Sequence, residues 1–231
     1  MNLWINASKL YFQPKIIRLV FLGFSSGLPL ALTFSTLSVW LAENGVDKST
    51  IGLFAALGVP YTLKFVWAPL IDRARIPWLT TLFGRRRAWM LFSQAALVLA
   101  IFALGQADPG LDAGRMALLA VIVSFCSASQ DIVLDAYRVE TLDDRTFAAG
   151  AAIFVWGYRI AMLVSGAGAL YIASGTNWGM AYTVMAALMG VGIVATLLSP
   201  EPVLEENTDT VGGNWFTDAV IGPFTQFIGS R

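Results

Sequence analysis

Two carboxylates stand inside an apolar run of this chain. Residues 124–140 read Ser-Phe-Cys-Ser-Ala-Ser-Gln-Asp-Ile-Val-Leu-Asp-Ala-Tyr-Arg-Val-Glu. Ser124, Ser127, Asp131, Asp135 and Arg138 recur at steps of three and four, so a helix places them on one polar stripe. An ionised Asp near a bilayer centre costs about 2.5–3.5 kcal/mol on insertion scales, so it demands a polar pathway or a partner. Asp131 and Asp135 lie one turn apart. Two acids so close in a low-dielectric site cannot both ionise cheaply, so one is expected to take up and release a proton during a transport cycle. Asp135, Arg138 and Glu140 also fit a plainer role, marking the polar end of a helix, which leaves the deeper Asp131 as the functional residue.

Other polar side chains interrupt apolar runs. Arg159 lies about three turns into its own run, too deep to reach the surface easily. It needs an anion, either Asp131 or Asp135 in an internal salt bridge or a negatively charged ligand, and its planar fork suits carboxylate or phosphate. Tyr158 beside it can hydrogen-bond a polar ligand or simply pack. Lys64 follows Gly58-Val59-Pro60-Tyr61; it either meets a ligand or extends along its helix to the surface. In Gly23-Phe24-Ser25-Ser26-Gly27-Leu28-Pro29 helix breakers accompany hydroxyls, and Ser26, Thr33 and Thr36 fall roughly on one face. Gly and Pro there allow local unwinding, which exposes backbone groups to a substrate. Gly150, Gly157, Gly166 and Gly168 read as close-packing positions.

These side chains need a scaffold, and composition supplies it. The chain is 57% hydrophobic and 13% charged, with mean hydropathy +0.67, the range of a membrane protein. Six apolar stretches, 17–41, 49–69, 88–106, 115–137, 148–173 and 177–199, each approach the roughly 20 residues that cross a bilayer core. Lipid leaves backbone polar groups no outside partner, so the stretches must be helices. The fold class is therefore all-α and integral to the membrane. The first stretch follows Lys9, Lys15 and Arg18 but is too long for a signal peptide, and is expected to remain as an uncleaved span.

Lys/Arg placement orients the bundle. With the N-terminus inside, one side holds Lys9, Lys15, Arg18, Arg73, Arg75, Arg85, Arg86, Arg87, Arg138 and Arg145, and the other only Lys48 and Arg115. Both ends of the six-span unit are then cytoplasmic. A net charge of zero with no basic domain argues against nucleic-acid binding. Without histidine, and with Cys126 alone, neither a disulfide framework nor a zinc cluster is available within one chain, and neither metal nor cofactor is expected. An intramembrane aspartyl protease needs carboxylates meeting from different helices, whereas Asp131 and Asp135 share one, so no enzyme is expected.

Domain organisation divides near Pro200. Residues 1–200 form the transmembrane domain. Residues 201–231 begin with an acidic stretch that reads as a solvated cytoplasmic linker. Trp215, Phe216, Ala219, Val220, Phe224, Phe227 and Ile228 then approach helical spacing. They form an interfacial helix, kinked at Gly222-Pro223, or a loosely ordered tail.

The loop between the second and third stretches is the most specific motif: Ala68-Pro69-Leu70-Ile71-Asp72-Arg73, an insertion, then Gly84-Arg85-Arg86-Arg87. It resembles the signature cytoplasmic loop of the major facilitator superfamily. Together with Leu22–Leu30, Pro60–Phe65, Ser127–Asp131, Asp135–Arg138 and Gly157-Tyr158-Arg159 it is similar to the AmpG muropeptide permeases, and the similarity runs from about residue 16 to 200. The resemblance implies a six-helix half of a major facilitator fold, built from two three-helix inverted repeats. It implies a bacterial inner-membrane permease that imports anhydromuropeptides for peptidoglycan recycling by proton symport. Its first and fourth spans would line the cavity. Asp131 and Asp135 would couple protons, Ser26, Thr33, Gln130, Tyr158, Arg159 and Lys64 would meet substrate, and Asp72, Arg73, Gly84, Arg85 and Arg86 would form the gating loop. Such permeases have two six-span halves with the substrate between them. The chain is accordingly expected to be an N-terminal half, a fragment or one member of a split pair, that needs a second half. A non-transporting membrane subunit is the rival reading, though a scaffold has no need of buried ionisable groups.

Overall fold

Hydropathy and backbone satisfaction demand helices long enough to cross a membrane, and six are present among the described residues. The computed structural model describes residues 11–110 and 113–202, so the amphipathic pattern at 214–228 lies outside the described residues. The spans are α1 (Pro14–Glu43), α2 (Lys48–Val66), α3 (Arg85–Gly105), α4 (Ala113–Thr141), α5 (Asp144–Gly175) and α6 (Trp178–Leu198). Two short helices, Ala68–Arg73 and Leu79–Phe83, fill the α2–α3 connection. Helix starts follow local chemistry. Asp47 accepts from the amides of Ser49 and Thr50, Asp143 from Thr146, and Asn177 from Met180.

Burial ranks the spans. In the apolar window of α1, 67% of residues are buried, against 11% in α2 and 28% in α5. Thus α1 is the central helix, while α2 and α5 leave faces uncovered.

The α1–α5 contact is set by glycine. A Cβ on Gly23 or Gly27 would fall on the carbonyl oxygens of Phe154 or Tyr158, and one on Gly157 would fall on that of Val20. The backbones touch, as small-residue faces allow in lipid. The glycines of Gly23–Pro29 therefore serve packing, and α1 stays helical through Pro29. The expected unwinding at that segment is absent. Instead one turn later, at Leu32–Thr36, α1 widens into a π turn. A second π turn occupies Val164–Gly168 of α5. Of the α5 glycines, Gly150 and Gly157 are packing positions, whereas Gly166 has open space beside it and Gly168 only an ordinary contact. In α2, where Gly58 and Pro60 weaken the helix, Phe54–Gly58 and Lys64–Val66 tighten into 3₁₀ turns.

Two apolar clusters fill the bundle. One gathers Leu28, Leu32, Trp40, Leu97, Val123, Ala161 and Tyr182 toward one end. The other gathers Leu22, Met90, Ile132, Leu134, Phe154 and Ala195 toward the end that carries Arg85–Arg87. Between them, on the same helices, lie buried Ser25, Ser26, Gln94, Ser127 and Gln130. The bundle has a polar layer at mid-height.

Candidate functional site

The polar stripe of α4 opens onto that layer. Ser26 Oγ on α1 donates to Asp131 Oδ1 at 2.5 Å. No cation pairs with Asp131 among the described residues, because the nearby cations are engaged one turn away. Lys64 Nζ reaches Asp135 Oδ2 at 3.3 Å, and Arg138 Nη2 reaches Asp135 Oδ1 at 2.6 Å. Arg138 also stacks its guanidinium 4.3 Å from the Phe154 ring centroid. The two acids therefore have opposite surroundings. Asp135 meets two cations, while Asp131 meets a hydroxyl.

Two tyrosines complete the surroundings of Asp131. Tyr61 on α2 and Tyr158 on α5 both lie within electrostatic reach of its carboxylate. The Tyr61 hydroxyl is buried beside the side chains of Ser127 on the stripe and Thr33 on α1, and Ser124 Oγ is buried without a hydrogen-bond partner. Tyr61 escaped the sequence reading as a site residue. Its signal was there, since Tyr61 and Lys64 are three apart and share a helix face.

The structure thus gathers Ser26, Lys64, Asp131, Asp135 and Tyr158, and places three other expected site residues apart from them. Gln130 is fully buried, and its Nε2 donates to Ser25 Oγ at 3.1 Å. Successive helical residues are separated by about 100°, so Gln130 turns toward Ser25 while Asp131 turns toward Ser26. Thr33 is 1% exposed and returns its hydroxyl to its own helix, at 2.9 Å from Pro29 O and 3.1 Å from Leu30 O. Arg159 is exposed and forms no ion pair with a described residue. Lys64, rather than Arg159, supplies the charge from a neighbouring span.

The α2–α3 loop motif builds a second constellation. Arg86, 5% exposed, donates Nη1 to Asp72 Oδ1 at 2.6 Å and Nε to both oxygens of Glu140 at 3.0 and 2.9 Å. Its Nη2 also meets Glu140 Oε1. One guanidinium fork thereby ties the short helix Ala68–Arg73 to the ends of α3 and α4. Gly84 sits at φ +86°, and a Cβ there would strike the side chain of Glu201. The Glu201 carboxylate accepts the amides of Arg86 at 2.7 Å and Arg87 at 3.0 Å, capping α3. Arg87 in turn donates to Thr196 O at 3.2 Å and Leu197 O at 2.8 Å at the end of α6. Glu201 is thus folded back onto the bundle, where the acidic composition suggested a solvated linker. Arg85 Nε is buried without a partner, and Arg73 closes the short helix Ala68–Arg73.

Comparison with known proteins gives this geometry a context. The anhydromuropeptide permease of Escherichia coli strain K12 is 46% identical over 223 residues, 96% of this chain and 44% of the relative. Putative transporter AmpG 4 of Rickettsia felis is 36% identical over 95% of this chain and 54% of the relative. An uncharacterized protein of Haemophilus influenzae is 40% identical over 87% of this chain and 46% of its own. The chain spans about half the length of the curated relatives it matches. The profile of the Major Facilitator Superfamily matches residues 19–230. With six apolar helices around a mid-height polar layer and a match over nearly its whole length, this multi-pass membrane protein belongs to the Major Facilitator Superfamily.

Proposed function

We propose that this chain forms one wall of a proton-coupled import path for anhydromuropeptides, from periplasm to cytoplasm across a bacterial inner membrane. The observation that carries the reading is Asp131, which stands at mid-bundle with a serine hydroxyl and no cation, beside an acid that holds two. An ionised carboxylate at such depth costs about 2.5–3.5 kcal/mol, a cost that proton binding relieves. Proton uptake there would return Asp131 to a neutral form compatible with the apolar clusters above and below.

The substrate is inferred from similarity to the Escherichia coli permease. A muropeptide offers sugar hydroxyls and peptide carboxylates. Tyr61 and Tyr158 have hydroxyls suited to the former, and exposed Arg159 has a charge suited to the latter. Lys64 and Asp135 form a pair that a second carboxylate could open. The uncovered faces of α2 and α5 support a second six-helix half, in the same chain or another, that closes the opposite wall. The Lys/Arg asymmetry supports cytoplasmic placement of the end bearing Asp72, Arg86 and Glu140. There the Arg86 constellation would form the gating loop, with residues 1–200 as the transmembrane domain.

The test is uptake of labelled anhydromuropeptide into cells or vesicles, with this chain joined to or expressed beside a six-span C-terminal half. Asp131→Asn should abolish uptake driven by a pH gradient while leaving expression intact. Proton-driven uptake that survives the substitution would remove Asp131 from the coupling role.

A further inference from the structure

A groove of about 600 Å³ runs between the first turns of α1 and the last turns of α6. Ile17, Phe21, Gly190, Val194 and Leu198 make it almost wholly apolar. Arg18 is the one charged residue among its lining residues. Its Nε donates to Pro14 O at 2.9 Å and its Nη1 to Leu198 O at 2.8 Å. Three of its five N–H donors have no described acceptor, and no carboxylate among the described residues pairs with it. Lys15, one turn away, is already paired with Asp143 at 3.2 Å. Arg87 holds the same end of α6, and its side chain also pairs with no carboxylate among the described residues.

We propose that this groove is a binding site for an anionic phospholipid, with an acyl chain along Ile17, Phe21 and Val194 and the phosphate on Arg18. An apolar slot in a membrane-facing bundle is filled by hydrocarbon. What singles out an anionic lipid is a guanidinium at the slot that meets no carboxylate among the described residues, on the end of the bundle where arginines concentrate. Guanidinium matches phosphate geometry through paired N–H donors, and a cation near an anionic headgroup gains attraction that a zwitterionic headgroup does not supply. This site does not depend on the identity of the transported substrate.

Native mass spectrometry of the purified full chain tests it, with phosphatidylglycerol and phosphatidylcholine of identical acyl chains at matched concentrations. One phosphatidylglycerol should bind with about fivefold preference over phosphatidylcholine. Arg18→Gln should erase the preference, and Arg145→Gln, at another exposed cation, should keep it. A Cβ at Gly190 meets nothing within 4 Å, so Gly190→Leu grows from open space into the slot and should lower binding of both lipids and remove the preference between them. Equal binding of the two lipids by the unaltered chain overturns the proposal. So does a phosphatidylglycerol preference that survives Gly190→Leu, which decides the matter alone if Arg18→Gln fails to fold. A groove occupied by the chain's own segment after residue 202, or by a second copy, would show neither headgroup preference nor sensitivity to Gly190→Leu, and would likewise overturn it.

Discussion

The Thr36 hydroxyl on α1 donates to the Ser165 carbonyl on α5 at 2.7 Å, and each residue belongs to a π turn. The two π turns are therefore joined to each other. A widened turn disturbs the usual i→i−4 ladder, and the side chain from the facing helix supplies a donor where the ladder is altered. The other π turn is served similarly, since Tyr182 Oη donates to Leu32 O at 3.0 Å. Thr36→Val keeps the shape and removes the donor. It should destabilise the bundle by about 1 kcal/mol, read as a fall of about 2–4 °C in the thermal midpoint in detergent.

The α1–α5 seam should tolerate no side chain at its tightest point. Gly157→Ala places a methyl against the Val20 carbonyl, and overpacking of this kind costs about 1–3 kcal/mol. Gly166→Ala meets open space and removes a flexible residue from a helical segment, so it should leave the midpoint unchanged or raised. Comparing the two melts separates steric packing from helix propensity.

Arg86 and Glu140 should behave as a pair whose halves cannot be removed singly. Arg86→Ala leaves the carboxylate of Glu140, whose side chain is 18% exposed, without its main partner. Breaking one side of such a buried pair costs about 3–5 kcal/mol. Arg86→Lys retains the charge without the fork and should recover only part of that loss. Protease resistance of the α2–α3 connection provides the readout, with cleavage fastest in Arg86→Ala.

Asp143 should give α5 an acid-sensitive start. Hydrogen bonds from Thr146, and then Lys15 beside it, hold its carboxyl down from 3.8 to about 2. The folded state thus binds the proton less readily than the unfolded state, and the contribution is complete above 3.8 and lost as pH falls toward about 2. Melts of the unaltered chain and of Asp143→Asn should differ most at pH 5 and converge toward about pH 2. A constant difference across that interval would show that the carboxylate's charge is not what stabilises the helix start.

How much of this was written in the sequence depends on which physical signal each feature uses. The six spans are legible because length and apolarity act over about twenty residues and outweigh any local exception. The stripe Ser124–Asp131–Asp135 is legible because helical period fixes which residues share a face. Period does not say which neighbour that face meets. Adjacent residues such as Gln130 and Asp131, or Ser25 and Ser26, point in different directions, and only packing decides that Ser26 meets Asp131 while Ser25 meets Gln130. The same limit hid the partner of Lys64, which lies 71 positions along the chain. Glu201 was obscured for a different reason: local acidity describes a solvated segment well, but a single carboxylate can answer two amides of a distant helix.

That distance has a consequence for how the protein is made. The amides of Arg86 and Arg87 at the start of α3 receive their cap from a residue 115 and 114 positions later. At about 5–20 residues per second, translation takes on the order of 6–23 seconds to reach that carboxylate. Throughout this interval α3 exists with its first turn open, and Gly84 stands beside an empty place. Only when the ribosome has passed the sixth span does the third acquire its finished beginning.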